Sequence, residues 1–208
     1  MSDRLPPIQI AGSELACNGH ICALFNDADE LYRLLLPFVR DGVEQGDKSL
    51  HVIAPAHIHD HCQRLRTAQI DVDAATRKGL LDIRDWHEIY LPDGRFDQRR
   101  MLELLRDHLT QYQKDGFARA RVIACAEWAA ESHEGVHDLI EYEARYNLIH
   151  REQDAVICVY DTRLFSPAMI AGVLHTHPTI LMNGILQKNP LYIPPDEFLK
   201  RYTEKTVP

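Results

Sequence analysis

The run AVICVY, Ala155 to Tyr160, decides the architecture. It is continuous and apolar rather than alternating, as a strand buried on both faces of a parallel sheet must be. Working outward from it, similar runs recur at His20 to Phe25 (HICALF), Leu50 to Ala54, Leu80 to Ile83 and Arg121 to Ala126. Between them lie stretches with apolar residues at helical spacing. The clearest is Asp97 to Asp115, with Met101, Leu104, Leu105, His108, Leu109 and Tyr112 on one face and Gly116 as its stop. Others span Asp29 to near Gly42 or Gly46, with Pro37 inside predicting a kink or a later helix start, then His57 to Ala68, His133 to His150 and Ser166 to Leu174. Strands alternating with helices predict an α/β fold, a three-layer α-β-α sandwich around a mainly parallel sheet.

The chain has 208 residues, 45% of them hydrophobic, enough for one domain with its own core. A single domain over residues 1–208 is expected. Residues 1–18, with Pro6, Pro7 and Gly12, read as a loose arm. Residues 175–208 read as a proline-rich appendage ending in a short helix near Asp196 to Tyr202. The net charge of -8 and the lack of a basic run argue against direct nucleic-acid binding. Neither a signal peptide nor a membrane-length apolar stretch is apparent, so a cytoplasmic location is expected. The five cysteines are widely spaced, without a C-x-x-C pair. Cys22, Cys125 and Cys158 fall in strand runs and read as small buried hydrophobes of a reducing compartment.

A parallel sheet invites a search for a phosphate loop, which needs glycines and a lysine between a strand and a helix. After the first strand this chain reads FNDADELY, with no glycine, no lysine and three acids. Carboxylates at that helix start repel a triphosphate. The near match from Gly42 to Ser49, GVEQGDKS, has the wrong spacing and leads from helix into strand, so it reads as a turn.

Histidine patterns raise a metal alternative. His133-Glu134-Gly135-Val136-His137 matches H-E-x-x-H, which on a helix would set two imidazoles on one face with Glu134 as base of a zinc hydrolase. Gly135 in the first turn and the lack of a third ligand weigh against it. His57, His59 and His61 read as a surface histidine run.

Open parallel sheets bind ligands beyond the carboxyl ends of their strands. Here those ends hold Trp86, Glu127, Trp128, Asp161 and Arg163. An aromatic pocket with a polar rim is expected there, the alternative being that both tryptophans pack under loops.

The ordered set of short motifs resembles the MEDS family, the methanogen and methylotroph sensory domain of dichloromethane-response regulators, which also occurs beside histidine kinase and anti-sigma modules. The resemblance runs from about His20 to Tyr192. It rests on HICALF with an acidic helix start, Leu36-Pro37-Phe38 with GVEQGD, and Tyr90 with Asp93-Gly94-Arg95-Phe96. It continues through Arg121, Glu127-Trp128, Tyr142-Glu143 with Asn147, Cys158 to Asp161, His177-Pro178 and Asn189-Pro190. It implies a degenerate relative of the RecA and KaiC fold that senses small molecules such as hydrocarbon derivatives. Pocket positions implied by it are Tyr90, Arg95, Glu127, Trp128, Tyr142, Glu143, Asp161 and His177.

The expectation is therefore a stand-alone, non-catalytic sensory domain that needs no cofactor and holds no metal. It would bind a small organic molecule, or a signalling protein such as a histidine kinase, anti-sigma factor or transcription regulator. A homodimer is among the assemblies this admits.

Overall fold

The computed structural model describes residues 5–15 and 19–206. Seven strands form one sheet: β3 (His20–Phe25), β4 (Lys48–Ile53), β5 (Leu81–Asp85), β6 (Ala120–Cys125), β7 (Ala155–Asp161), β8 (Thr179–Met182) and β9 (Ile185–Lys188). Their order is β5-β4-β6-β7-β3-β8-β9, parallel except for β9. β7 lies between β6 and β3 and is buried at every residue, as its unbroken apolar sequence requires.

Side chains alternate along each strand, and both faces are apolar. Ile21, Ala23, Ile123, Ile157 and Val159 meet α1 (Ala28–Gln45), α2 (Ile58–Thr67) and α3 (Val72–Arg77). Cys22, Leu24, Val122, Ala124 and Val156 meet α4 (Trp86–Ile89), α5 (Gln98–Lys114), α6 (Leu139–Tyr146) and α7 (Pro167–Thr176). The result is the expected sandwich of two helical layers on a mainly parallel sheet.

Helix ends follow local chemistry. Asp27 caps α1 by accepting from the Asp29 amide, and Asp97 caps α5 by accepting from Arg99 and Arg100. GVEQGD closes α1: Gly46, at φ 75°, takes the left-handed conformation and returns its amide to the carbonyls of Gly42 and Val43. The segment is thus a helix-to-strand turn. Pro37 lies within α1 without ending it.

Three expectations differ from the structure. In the arm, β1 (Gln9–Ile10) and β2 (Ser13–Glu14) form a small antiparallel hairpin, and Ile10, 1% exposed, packs into the α1 side of the core. Residues 1–4 and 16–18 of that arm lie outside the described residues, as do 207–208 at the other end. The proline-rich segment after His175 is no mere appendage: β8 pairs with β3, β9 turns back on β8, and α8 (Pro195–Thr206) touches α6 and α7. The helix over 133–150 is shorter than expected. A single 3₁₀ turn at Val136–Asp138 precedes α6.

Candidate functional site

The carboxyl ends of β3, β4, β5, β6 and β7 open into a cleft of about 730 Å³. Phe25, Ile53 and Pro55 supply apolar wall from the ends of β3 and β4, and Trp86 supplies it from the start of α4. Glu127 follows β6, while Asp161 ends β7 and Arg163 follows it. Four of the sequence-derived residues therefore share this cleft: Trp86, Glu127, Asp161 and Arg163. His57, Tyr32 and Leu164 join them without having been anticipated.

Two carboxyls in the cleft are tuned in opposite directions. Burial raises the proton affinity of Glu127, with His57, 3.6 Å away, opposing it and Asp161 adding to it. Asp161 is held below the ordinary carboxylate range by hydrogen bonds from Arg163, whose Nε and Nη2 lie 3.0 and 2.5 Å from its oxygens. The two carboxyls of the cleft therefore differ in proton affinity, Glu127 being shifted up and Asp161 down.

The other expected residues lie elsewhere. Trp128 does not reach the cleft. It is 1% exposed, stacks on Tyr90 with ring centroids 4.8 Å apart, and packs against Phe96. The burial of so large an apolar ring outweighs exposure at a rim. Arg95 is exposed and bridges to Glu134 through its backbone. Tyr90, Tyr142 and Glu143 line a second, small cavity of about 30 Å³ on the α6 side of the sheet, together with His20 and Cys158.

Next to that cavity His20, Glu143, Cys158 and His177 converge, all buried, with their donor atoms within 4.8 Å of one another. They come from β3, α6, β7 and the residue that ends α7. Sequence reading placed Glu143 and His177 in a pocket but missed His20 and Cys158. The available signal was positional: both are even-numbered strand residues and so face α6.

The H-E-x-x-H segment is not a helix. Gly135 sits at φ 83°, where an added Cβ would lie 2.1 Å from the Phe96 carbonyl oxygen, and this left-handed turn separates the two histidines. The His137 side chain is 81% exposed beside Asp138, and His133 bonds Glu131. No zinc triad forms there. The expected surface run is also corrected. His57 and His59 are exposed, but His61 is buried and bonds His51 at 2.9 Å and Tyr32 at 2.8 Å.

An acid-capped first helix and a cleft at the carboxyl edge of a parallel sheet place the chain among α/β domains without a phosphate loop. More narrowly, the chain belongs to the MEDS family, described as the methanogen/methylotroph, DcmR sensory domain, whose profile matches residues 19–178. It is 28% identical over 172 residues to the transcriptional repressor DcmR of Methylorubrum extorquens (strain DSM 6343 / CIP 106787 / DM4), covering 81% of this chain and 62% of that protein. The chain thus spans about three fifths of the length of that curated relative. Family membership gives it a sensory, regulatory role. No helix among the described residues is long and apolar enough to cross a membrane.

Proposed function

We propose that this chain is a non-catalytic sensory domain that takes up a small organic molecule at the carboxyl edge of its sheet. One observation carries the reading: the cleft of about 730 Å³ has apolar walls, at Phe25, Ile53 and Trp86, and a polar rim at Glu127, Asp161 and Arg163. Sites for small molecules are concave, mostly apolar and oriented by a few polar groups, with volumes of roughly 300–1,000 Å³. The acids at the start of α1, with Asp27 already occupying the amide of Asp29, disfavour a nucleotide triphosphate in the same cleft.

The walls come from the ends of five separate strands and the segments that follow them. A bound molecule that prefers one arrangement of those segments shifts the population toward it. A signalling partner, such as a histidine kinase, an anti-sigma factor or a transcription regulator, would read that shift. The repressor named above is one relative in which such a domain accompanies control of transcription.

Thermal unfolding and tryptophan emission, recorded against short alcohols, carboxylic acids, amines and halogenated hydrocarbons, test the reading. At least one class should raise the melting temperature and change the emission, and Trp86→Phe should abolish the emission change. Stabilisation by magnesium-ATP with no response to any organic compound would refute it.

A further inference from the structure

We propose that His20, Glu143, Cys158 and His177 form a binding site for one divalent transition-metal ion of the zinc type. The site is separate from the cleft and does not depend on what the cleft binds.

The donor spacing is the first argument. His20 Nε2 lies 3.2 Å from Glu143 Oε2 and 3.6 Å from Cys158 Sγ. Glu143 Oε2 lies 3.9 Å from Cys158 Sγ and 3.6 Å from His177 Nε2. Zinc bonds of about 2.0–2.3 Å in a tetrahedron put neighbouring donors roughly 3.3–3.8 Å apart. Four of the six donor–donor distances thus lie at or near that range, and the other two are within 4.8 Å.

The orientation of the imidazoles is the second. His177 Nδ1 lies 2.7 Å from the Val173 carbonyl, which can only accept, so Nδ1 carries the proton and the Nε2 lone pair faces the cluster. Asn147 Nδ2 donates to the carbonyls of Glu143 and Thr176, which leaves its Oδ1 to accept from His20 Nδ1 at 3.0 Å. His20 Nε2 therefore also presents a lone pair inward. Metal-binding histidines are fixed in this way by an acceptor on the far nitrogen. Tyr160 donates to Glu143 Oε1 at 2.9 Å and leaves Oε2 toward the cluster.

Satisfaction and charge are the third. A proton on Glu143 Oε2 can serve His20, but His177 Nε2 then has no hydrogen-bond partner although fully buried. An orphaned buried acceptor is costly. A metal ion serves both nitrogens at once. On its entry the Cys158 thiol and the Glu143 carboxyl each release a proton, and the two negative charges neutralise the dication. A neutral complex is what a dry interior tolerates. Nitrogen, thiolate and carboxylate donors together suit zinc or cobalt rather than magnesium or calcium. Four protein ligands make a closed site, of the structural kind rather than the catalytic kind.

The test uses untagged chain purified under reducing conditions. Elemental analysis should find one transition-metal ion per chain. Cobalt(II) added to chelator-treated protein should give tetrahedral ligand-field bands and a thiolate-to-cobalt charge-transfer band. Cys158→Ser should remove the charge-transfer band, and His133→Ala with His137→Ala should leave both. Asn147→Ala, which frees His20 to rotate, should weaken cobalt binding about 10–100-fold. X-ray absorption of the zinc-loaded wild type, which depends on no variant, should show one sulfur at about 2.3 Å and nitrogen or oxygen at about 2.0 Å. A zinc shell without sulfur, a cobalt spectrum unchanged by Cys158→Ser, or no tight binding of either ion would overturn the proposal.

Discussion

Arg121 Nε donates to Asp47 Oδ2 at 2.7 Å, deep in the protein and at the end of the sheet opposite the cleft. The same guanidinium donates to the Phe38 carbonyl at 2.8 Å and to Asp41 at 2.7 Å, and Arg119 shares the Asp47 oxygen at 2.9 Å. The stretch GVEQGD and the isolated Arg121 thus form one framework that joins the end of α1 to the starts of β4 and β6. Breaking a buried ion pair by removing one partner strands the other charge, at a cost of about 3–5 kcal/mol. Arg121→Ala should lower the unfolding free energy by that order in urea titration. A loss under 1 kcal/mol would show that the network is not what ties these elements together.

Gly42 is the companion test. A Cβ there would meet Arg121 Cδ at 2.8 Å and Nε at 3.0 Å, and that side chain is fully buried with its donors engaged. Alanine would gain about 1 kcal/mol of helix propensity. Overpacking costs typically about 1–3 kcal/mol, and here it also displaces the guanidinium. The second effect should win: Gly42→Ala should destabilise by about 1–3 kcal/mol in urea, and a stabilised variant would contradict this geometry.

Much of the fold was legible because it is local. AVICVY, HICALF and the Asp97-capped helix each carry their own signal within a few residues. The cleft could be anticipated because strand order fixes which end of a parallel sheet is open. The buried cluster could not, since Cys158 and His20 are 138 apart in sequence and meet only through the β3–β7 pairing. Thr179–Met182 escaped notice because a four-residue strand following Pro178 carries little periodic signal. The helix expected from His133 starts only at Leu139 because Gly135, the residue that already weighed against H-E-x-x-H, takes a left-handed conformation at φ 83°.

Acid should weaken this fold through His51 and His61. Ser49 Oγ, His51, His61 and the Tyr32 hydroxyl form a hydrogen-bonded chain with links of 3.0, 2.9 and 2.8 Å, ending at the cleft wall. Burial lowers His61 to about 4, and burial together with His61 holds His51 well below its ordinary value. In the unfolded chain both protonate near about 6.5. Between about pH 6.5 and about 4 the unfolded state therefore binds more protons, and stability falls as pH falls. Each histidine contributes up to about 1.4 kcal/mol per pH unit inside that window. In a urea series at successive pH values, the double variant His51→Gln, His61→Gln should show a flatter slope than wild type. Parallel profiles would remove these two histidines from the account.

Arg163 should govern the charge state of Asp161. Its hydrogen bonds are the main cause of the lowered Asp161 proton affinity. Arg163→Ala should move the Asp161 carboxyl ¹³C titration upward toward the ordinary carboxylate range. A midpoint that stays where the wild type has it would mean that another group holds the charge.

The most direct test of the cleft reading follows the two tryptophan indole N–H signals by NMR. Both indoles are buried, Trp86 at 6% and Trp128 at 1% exposure, but only Trp86 lines the cleft. Titration with the stabilising hydrocarbon derivative should shift the Trp86 signal in a saturable way and leave that of Trp128 nearly still. A Trp86 signal unmoved by every such compound, alongside shifts from Asn26 to Glu30 on adding magnesium-ATP, would contradict the account.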